Sequence, residues 1–135
     1  MKKLLSILLT LALLLSLSSA ALAESAEVIK VGVLYPYTGS AAAVAEDAQK
    51  GIEFAIQEIN DRGGIASMGG AKIELYYGDT QSNEEAAMTE AERLITQEGV
   101  SALLGCYQSG VTASVQTVCE RYQVPLAITC STGDI

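Results

Sequence analysis

Hydrophobic and polar positions along this chain switch repeatedly between two periods. Val28–Tyr35 (VIKVGVLY) is an apolar run broken by Lys30 and Gly32, as expected of a strand buried on both faces. Pro36, Thr38, Gly39 and Ser40 then mark a turn. From about 42 to 60 the period becomes helical, with Val44, Ala48, Ile52, Ala55, Ile56 and Ile59 on the apolar face. Asp61-Arg62-Gly63-Gly64 stops that helix, glycine being common just past a helix end. Residues 65–70 read as a loop and 72–77 as a second strand with alternating polar positions. Gly78-Asp79-Thr80-Gln81 turns the chain again. Ser82 followed by Glu85 predicts a capping box. It would open a helix to about 98, with Ala87, Ala91, Leu94 and Ile95 inward and Gly99 closing it.

The stretch from 100 to 132 repeats the theme. Residues 100–106 form a short apolar run that ends at a polar turn. From Ser109 onward Val111, Val115, Val118, Cys119 and Tyr122 share one helical face. Residues 124–130 are a second apolar run, with Pro125 near its start, where a strand tolerates proline. The order βαβαβαβ predicts an α/β fold with a doubly wound parallel sheet. Parallel strands end on one side of such a sheet, where ligands bind. Tyr107, Gln108, Ser109, Ser131 and Thr132 are the polar residues delivered there.

The start of the chain has a different character. Met1-Lys2-Lys3, an apolar stretch from Leu4 to Leu17 and then Ala21-Leu22-Ala23 form the layout of a cleavable secretory signal over residues 1–23. The apolar stretch is shorter than the roughly 20 residues a bilayer span needs, and no cysteine stands at the cleavage site to take a lipid. Residues 24–135 are then the exported part, with no stable membrane insertion expected after cleavage. Losing Lys2 and Lys3 leaves six basic residues against sixteen acidic ones. Nucleic acid and anionic membranes call for a basic patch and are not expected partners. Three cysteines allow one disulfide in an exported protein. Cys106 and Cys130, at neighbouring strand ends, are the pair that fits. The preferred alternative is three small apolar residues with no bridge. The far sheet edge lacks a covering helix, so the chain is expected to be the front part of a longer protein.

Several chemistries are excluded for this segment. There is no histidine, so Ser/His and Cys/His nucleophile pairs are unavailable. The turn after the first strand lacks the dinucleotide fingerprint, Val111 stands where a P-loop needs lysine, and Tyr107 spoils a nucleophile elbow. No metal site and no cofactor are expected, and the chain is read as a non-enzyme. Asp79 is read as a local hydrogen-bond acceptor or cap. The positive candidate is a hydroxyl-rich rim at the strand ends. Ser109 opens a helix, where unpaired N–H groups favour an anion, and Ser131 and Thr132 repeat the pattern one strand later. Ligand contact and plain N-capping both stay open for these residues. Tyr35, Tyr37 and Tyr107, half of the six tyrosines, gather at the same rim and favour a small-molecule pocket.

Taken together, IKVGVLYPYTG, GIEFAIQEINDRGGI, KIELYYGDTQSN, AERLI, ALLGCYQSGVTASV and ERYQVPLAITCST resemble the type 1 periplasmic solute-binding proteins. The leucine/isoleucine/valine-binding type is nearest, with the amide- and urea-binding receptors beside it. The resemblance covers the whole exported segment. It implies two α/β lobes closing on a ligand, residues 24–135 being the first part of the N-terminal lobe. It further implies a periplasmic protein that delivers an amino acid, or a related small amide or carboxylate, to ABC permease subunits. The alternative it implies is a sensory receptor domain of the same fold, of the amide/urea type. By the same resemblance Ser109 matches the serine that holds a ligand carboxylate, Thr132 the threonine that touches carboxylate and ammonium, and Ser131 its neighbour. Tyr107 sits where the amide-binding branch places a ligand-contacting tyrosine. The chain departs from the family in two places. Val44 stands where amino-acid binders often carry an aromatic residue, and Gln81 and Gln108 stand where some have a disulfide.

Overall fold

The computed structural model describes residues 27–129. The signal-like residues 1–23, and Cys130, Ser131 and Thr132, lie outside them. The elements are β1 (Val28–Tyr35), α1 (Ala42–Asp61), a short 3-10 turn (Ala66–Met68), β2 (Lys72–Asp79), α2 (Glu84–Arg93) running into a π turn (Leu94–Glu98), β3 (Ala102–Gly105), α3 (Ser109–Tyr122) and β4 (Leu126–Ile128). The strands form one parallel sheet in the order β2-β1-β3-β4. The chain winds outward from β1 in one direction and then the other, and the loops after β1 and β3 flank the point where it reverses.

Burial divides the sheet into two cores. On one face Leu34 and Leu103 pack with Ala87, Ala91, Leu94, Val111, Val115, Val118 and Cys119, beneath α2 and α3. On the other, Val33 and Tyr35 pack with Ala45 of α1, backed by Tyr37, Ala48, Ile52, Leu75, Tyr77, Leu104 and Tyr107. Successive residues of β1 thus enter opposite cores, as the alternation of a strand requires. Each large aliphatic side chain buried in this way contributes about 1.5–3 kcal/mol.

Sequence and structure part in several places. The face of α1 that meets the sheet runs through Ala45, Ala48, Ile52 and Ile56, while Val44, Ala55 and Ile59 are exposed. The apolar stripe predicted from spacing was therefore centred too far round the helix; small Ala45 is what lets α1 sit close. Ser82 does not cap α2. Asn83 does, its Oδ1 accepting from Ala86 N at 2.9 Å. Ser82 turns into the left-handed region (φ 54) and its Oγ accepts from Ala41 N at 3.1 Å, satisfying an orphan donor at the start of α1. Tyr122 lies on the outside, where its hydroxyl donates to Glu92. β2 continues to Asp79 because Gly78 and Asp79 still pair with Leu34 and Tyr35. β3 and β4 are shorter than the apolar runs that carry them.

The end of α1 is pinned by a contact the spacing did not reveal. Asn60 Oδ1 accepts from Ile73 N at 2.9 Å, and its Nδ2 donates to Ile73 O at 2.8 Å. One amide thereby satisfies both outward backbone groups of a residue on the edge strand β2. Gly64 N then donates to Ile59 O at 3.0 Å as the chain leaves the helix through Gly63 and Gly64, both at positive φ.

Gly105 controls how closely β1 and β3 approach. Its φ is 128, and a Cβ there would stand 2.1 Å from Leu34 O and 3.2 Å from Tyr35 Cε2. Such backbone strain alone costs a residue with a side chain about 1–3 kcal/mol. Gly105→Ala is expected to lower unfolding stability by about 2 kcal/mol or more, read as a shift in the urea midpoint. An unchanged midpoint would show that β3 can move away from β1 without penalty.

Candidate functional site

Three loops leave the sheet at its C-terminal edge, and hydrogen bonds tie the first two together. After β1, Thr38 donates from N to Asp79 Oδ1 at 3.1 Å and from Oγ1 to Asp79 Oδ2 at 2.6 Å. Gln81 N also donates to Asp79 Oδ1, at 2.9 Å. Thr80 N donates to Tyr35 O at 3.0 Å. Asp79 is thus the acceptor that locks the loop after β2 to the loop after β1, the structural role expected for it. Partial burial works against its ionisation. The hydrogen bonds from the Thr38 hydroxyl and from the backbone of Gln81, Thr38 and Tyr37 outweigh it and hold the carboxyl below the usual aspartate range.

The tyrosines line the rim as expected, with individual roles. The Tyr35 hydroxyl shares a 2.5 Å hydrogen bond with Thr129 Oγ1. Its ring passes over Gly105 to do so, joining β1 to the chain just beyond β4 across β3. Tyr37 and Tyr77 meet edge to face with centroids 6.1 Å apart. Tyr77 donates to Glu53 Oε1 of α1 at 2.9 Å. Burial, then that hydrogen bond, push its phenol up to about 12. Burial, and after it Tyr77, push Tyr37 well above the ordinary phenol range. Both rings are neutral at physiological pH. Tyr107 is half-buried and packs against the same cluster.

Ser109 is the first residue of α3, half-buried at the reversal point. The N-cap position belongs instead to Gln108, whose side chain makes no capping hydrogen bond. Gln108 O accepts from Thr112 N and Thr112 Oγ1, each at 2.9 Å. Next to Ser109, Gly110 leaves room for a carboxylate of α2: a Cβ there would meet Glu84 Oε1 at 2.6 Å.

Three side-chain atoms at this edge are buried without a hydrogen-bond partner among the described residues: Tyr37 Oη, Thr80 Oγ1 and Gln108 Oε1. Sequence reasoning singled out none of them for that, nor Thr129 as the partner of Tyr35. The rim spacing marked their loops, but their burial follows from the packing of one loop on another. Tyr107 and Ser109 are brought to one edge of the sheet; Ser131 and Thr132 lie outside the described residues. Cys106 is buried with a free thiol that burial pushes up to about 12, and Cys130, its expected partner, is likewise outside. The rim from 36 to 41, 79 to 84 and 106 to 110 contains no lysine or arginine. Any anion held there would rest on hydroxyls and backbone N–H groups.

Because the folded protein depresses Asp79, its contribution to stability is complete above the usual carboxylate range and is lost as pH falls through the folded value. Asp79→Asn is expected to flatten the acid limb of stability below about pH 5, followed by urea melts across pH. An acid limb equal to that of the unaltered protein would assign the dependence to other carboxylates.

Comparison with known proteins places this geometry. Residues 28–134 match a family model described as periplasmic binding protein. Leu/Ile/Val-binding protein homolog 7 of Brucella abortus is 39% identical over 116 residues, covering 83% of this chain and 28% of the relative. Among solved structures, the branched-chain amino acid transporter substrate binding protein LivJ of Streptococcus pneumoniae, in complex with isoleucine, superposes with a TM-score of 0.74 at 36% identity. That match covers 80% of this chain and 30% of LivJ. The leucine binding protein LivK of Thermotoga maritima gives 0.68 at 28% identity, covering 78% of this chain and 28% of LivK. The chain therefore spans less than a third of the length of each of these relatives. The family resemblance read from the sequence is thus shown, and the parallel sheet with helices on both faces is the fold these structures share. The chain belongs to the periplasmic binding protein family.

Proposed function

We propose that this chain is part of the exported solute-binding component of an ABC importer, acting in the periplasm. Residues 1–23 are its export signal and 24–135 the first part of its N-terminal lobe. Its ligand is a branched-chain amino acid or a related small amide or carboxylate, held between this lobe and a second one. The observation that carries the reading is the start of α3. It opens at the reversal point of the sheet, with Gln108 in the N-cap position, and presents Ser109 where the helix dipole favours negative charge. The named ligands of similar proteins, isoleucine in LivJ and leucine in the LivK description, carry a carboxylate that such a terminus suits.

In this reading the Ser109 hydroxyl and backbone N–H hold the ligand carboxylate. Thr132 touches carboxylate and ammonium, with Ser131 beside it, and Tyr107 covers one side of the ligand. A rim without lysine or arginine suits a zwitterion: it binds the anionic end through hydrogen bonds and leaves no cation to repel the ammonium. No bond is made or broken. The ligand prefers the closed arrangement of the lobes and shifts the population toward it, and the permease subunits read that closed form.

Calorimetric titration of the complete two-lobed protein against amino acids and amides tests this. One α-amino acid is expected to bind tightly, and Ser109→Ala and Thr132→Ala each to weaken it by about 10- to 100-fold, as for a hydrogen bond to a charged group. Binding of an amide or urea that ignores Thr132→Ala would point to the sensory-receptor branch instead. No binding across the panel would remove the ligand class.

A further inference from the structure

Tyr35 is the last residue of β1, and its carbonyl and its side chain serve different neighbours. The carbonyl accepts from Tyr37 N and from Thr80 N, each at 3.0 Å, and so receives the loops after β1 and β2. The side chain crosses to the other side of β1. Its ring belongs to the core under α1, only 5% exposed, and its hydroxyl meets Thr129 Oγ1 at 2.5 Å. Strand β3 lies between the two residues, because the sheet runs β1-β3-β4 on this side. The bond therefore bridges two strand spacings, about 9.6 Å. Gly105 of β3 leaves the ring its path: a Cβ there would stand 3.2 Å from Tyr35 Cε2.

Thr129 stands where such a tie has most to do. β4 is three residues long, and its ladder with β3 ends where Gly105 pairs with Ile128. Thr129 is the next residue, exposed and past the last rung. Three ladder pairs fix the strand but not the direction of the chain beyond it, and the Tyr35 hydroxyl supplies a fixed point just there. Thr132 follows three residues later, at most about 11 Å of extended chain.

We propose that Tyr35 is a positioning residue for ligand binding. Its hydroxyl, through Thr129, sets the direction in which the chain leaves β4 and so the place of Thr132 in the rim. This builds on the ligand roles assigned to Ser109 and Thr132 above. Tyr35 itself touches no ligand. A group already held where the ligand needs it loses less freedom on binding, and that saving is what the hydroxyl contributes.

Tyr35→Phe keeps the ring in its core and removes only the hydroxyl, leaving the exposed Thr129 Oγ1 to water. The urea midpoint is therefore expected to stay close to that of the unaltered protein. Amide hydrogen exchange of the complete protein without ligand should rise in the peptide carrying Thr129, and not in β1 or β3, for both Tyr35→Phe and Thr129→Val. Thr129→Ser, which keeps a hydroxyl, should restore protection. In calorimetry with leucine, Tyr35→Phe should weaken binding by about 3- to 10-fold, the worth of one net hydrogen bond. That loss should persist in full on a Ser109→Ala background and vanish on a Thr129→Val or Thr132→Ala background, a pattern that general loosening of the fold would not produce. Unchanged exchange at Thr129, or equal losses on the Ser109→Ala and Thr132→Ala backgrounds, would overturn the proposal. Raised exchange in a protein that ignores leucine would uphold the tie between Tyr35 and the chain after β4 and remove the ligand assignment alone.

Discussion

Strand β1 is paired on both edges and feeds both cores, and its pairing with β3 leaves no room for a side chain at Gly105. The approach is set at Gly105, whose Cα faces Leu34 O with no room for a side chain, and whose bare surface lets the Tyr35 ring cross toward Thr129. Leu34 and Leu103 then close one core under α2 and α3, while Val33 and Tyr35 close the other under α1. Each core leans on the same strand pair. Interiors of this kind are close-packed and respond to changes of even one methylene, so the geometry of the rim above them is inherited from that contact.

The rim in turn is held by acceptors rather than by ion pairs. Asp79 gathers the loop after β1 onto the loop after β2, and Ser82 reaches from the second loop to Ala41, the residue just before α1. The third loop delivers Ser109 at the head of α3 beside them. Its charge is low: two neutral phenols, an anchored carboxylate, Glu84 against Gly110 and a helix N-terminus. The three buried polar atoms left unpartnered among the described residues, on Tyr37, Thr80 and Gln108, lie in the same loops and mark where further hydrogen bonds are needed.

Local patterns carried much of this. The continuous apolar run of β1, the helical spacing from Val111 to Cys119 and the glycines at 63, 64 and 99 each specify an element through short-range geometry, and each stands where expected. The failures share a cause. Ser82 and Asn83 are both good caps, and the choice between them was made by Ala41, a residue on another loop. Val44 and Ala45 are both apolar, and the smaller one faces the sheet because the helix must lie close to it. Tyr122 has the right spacing for the core but finds Glu92 at the surface. Asn60 reads as a helix end, while its pairing with Ile73 requires that the edge of β2 be placed beside it.

The sequence by itself determined the order of elements, the parallel sheet, the family and the side of the sheet on which polar groups collect. The elements, the sheet and the rim follow from periodicity and turn chemistry within about thirty residues, and the family from the resemblance its motifs carry. Tertiary structure alone decided which polar side chain serves which helix start, which stripe of α1 faces inward, and that Phe54 stands outside. Those outcomes depend on atoms far apart in the chain meeting at fixed distances, and a one-dimensional pattern does not encode distance.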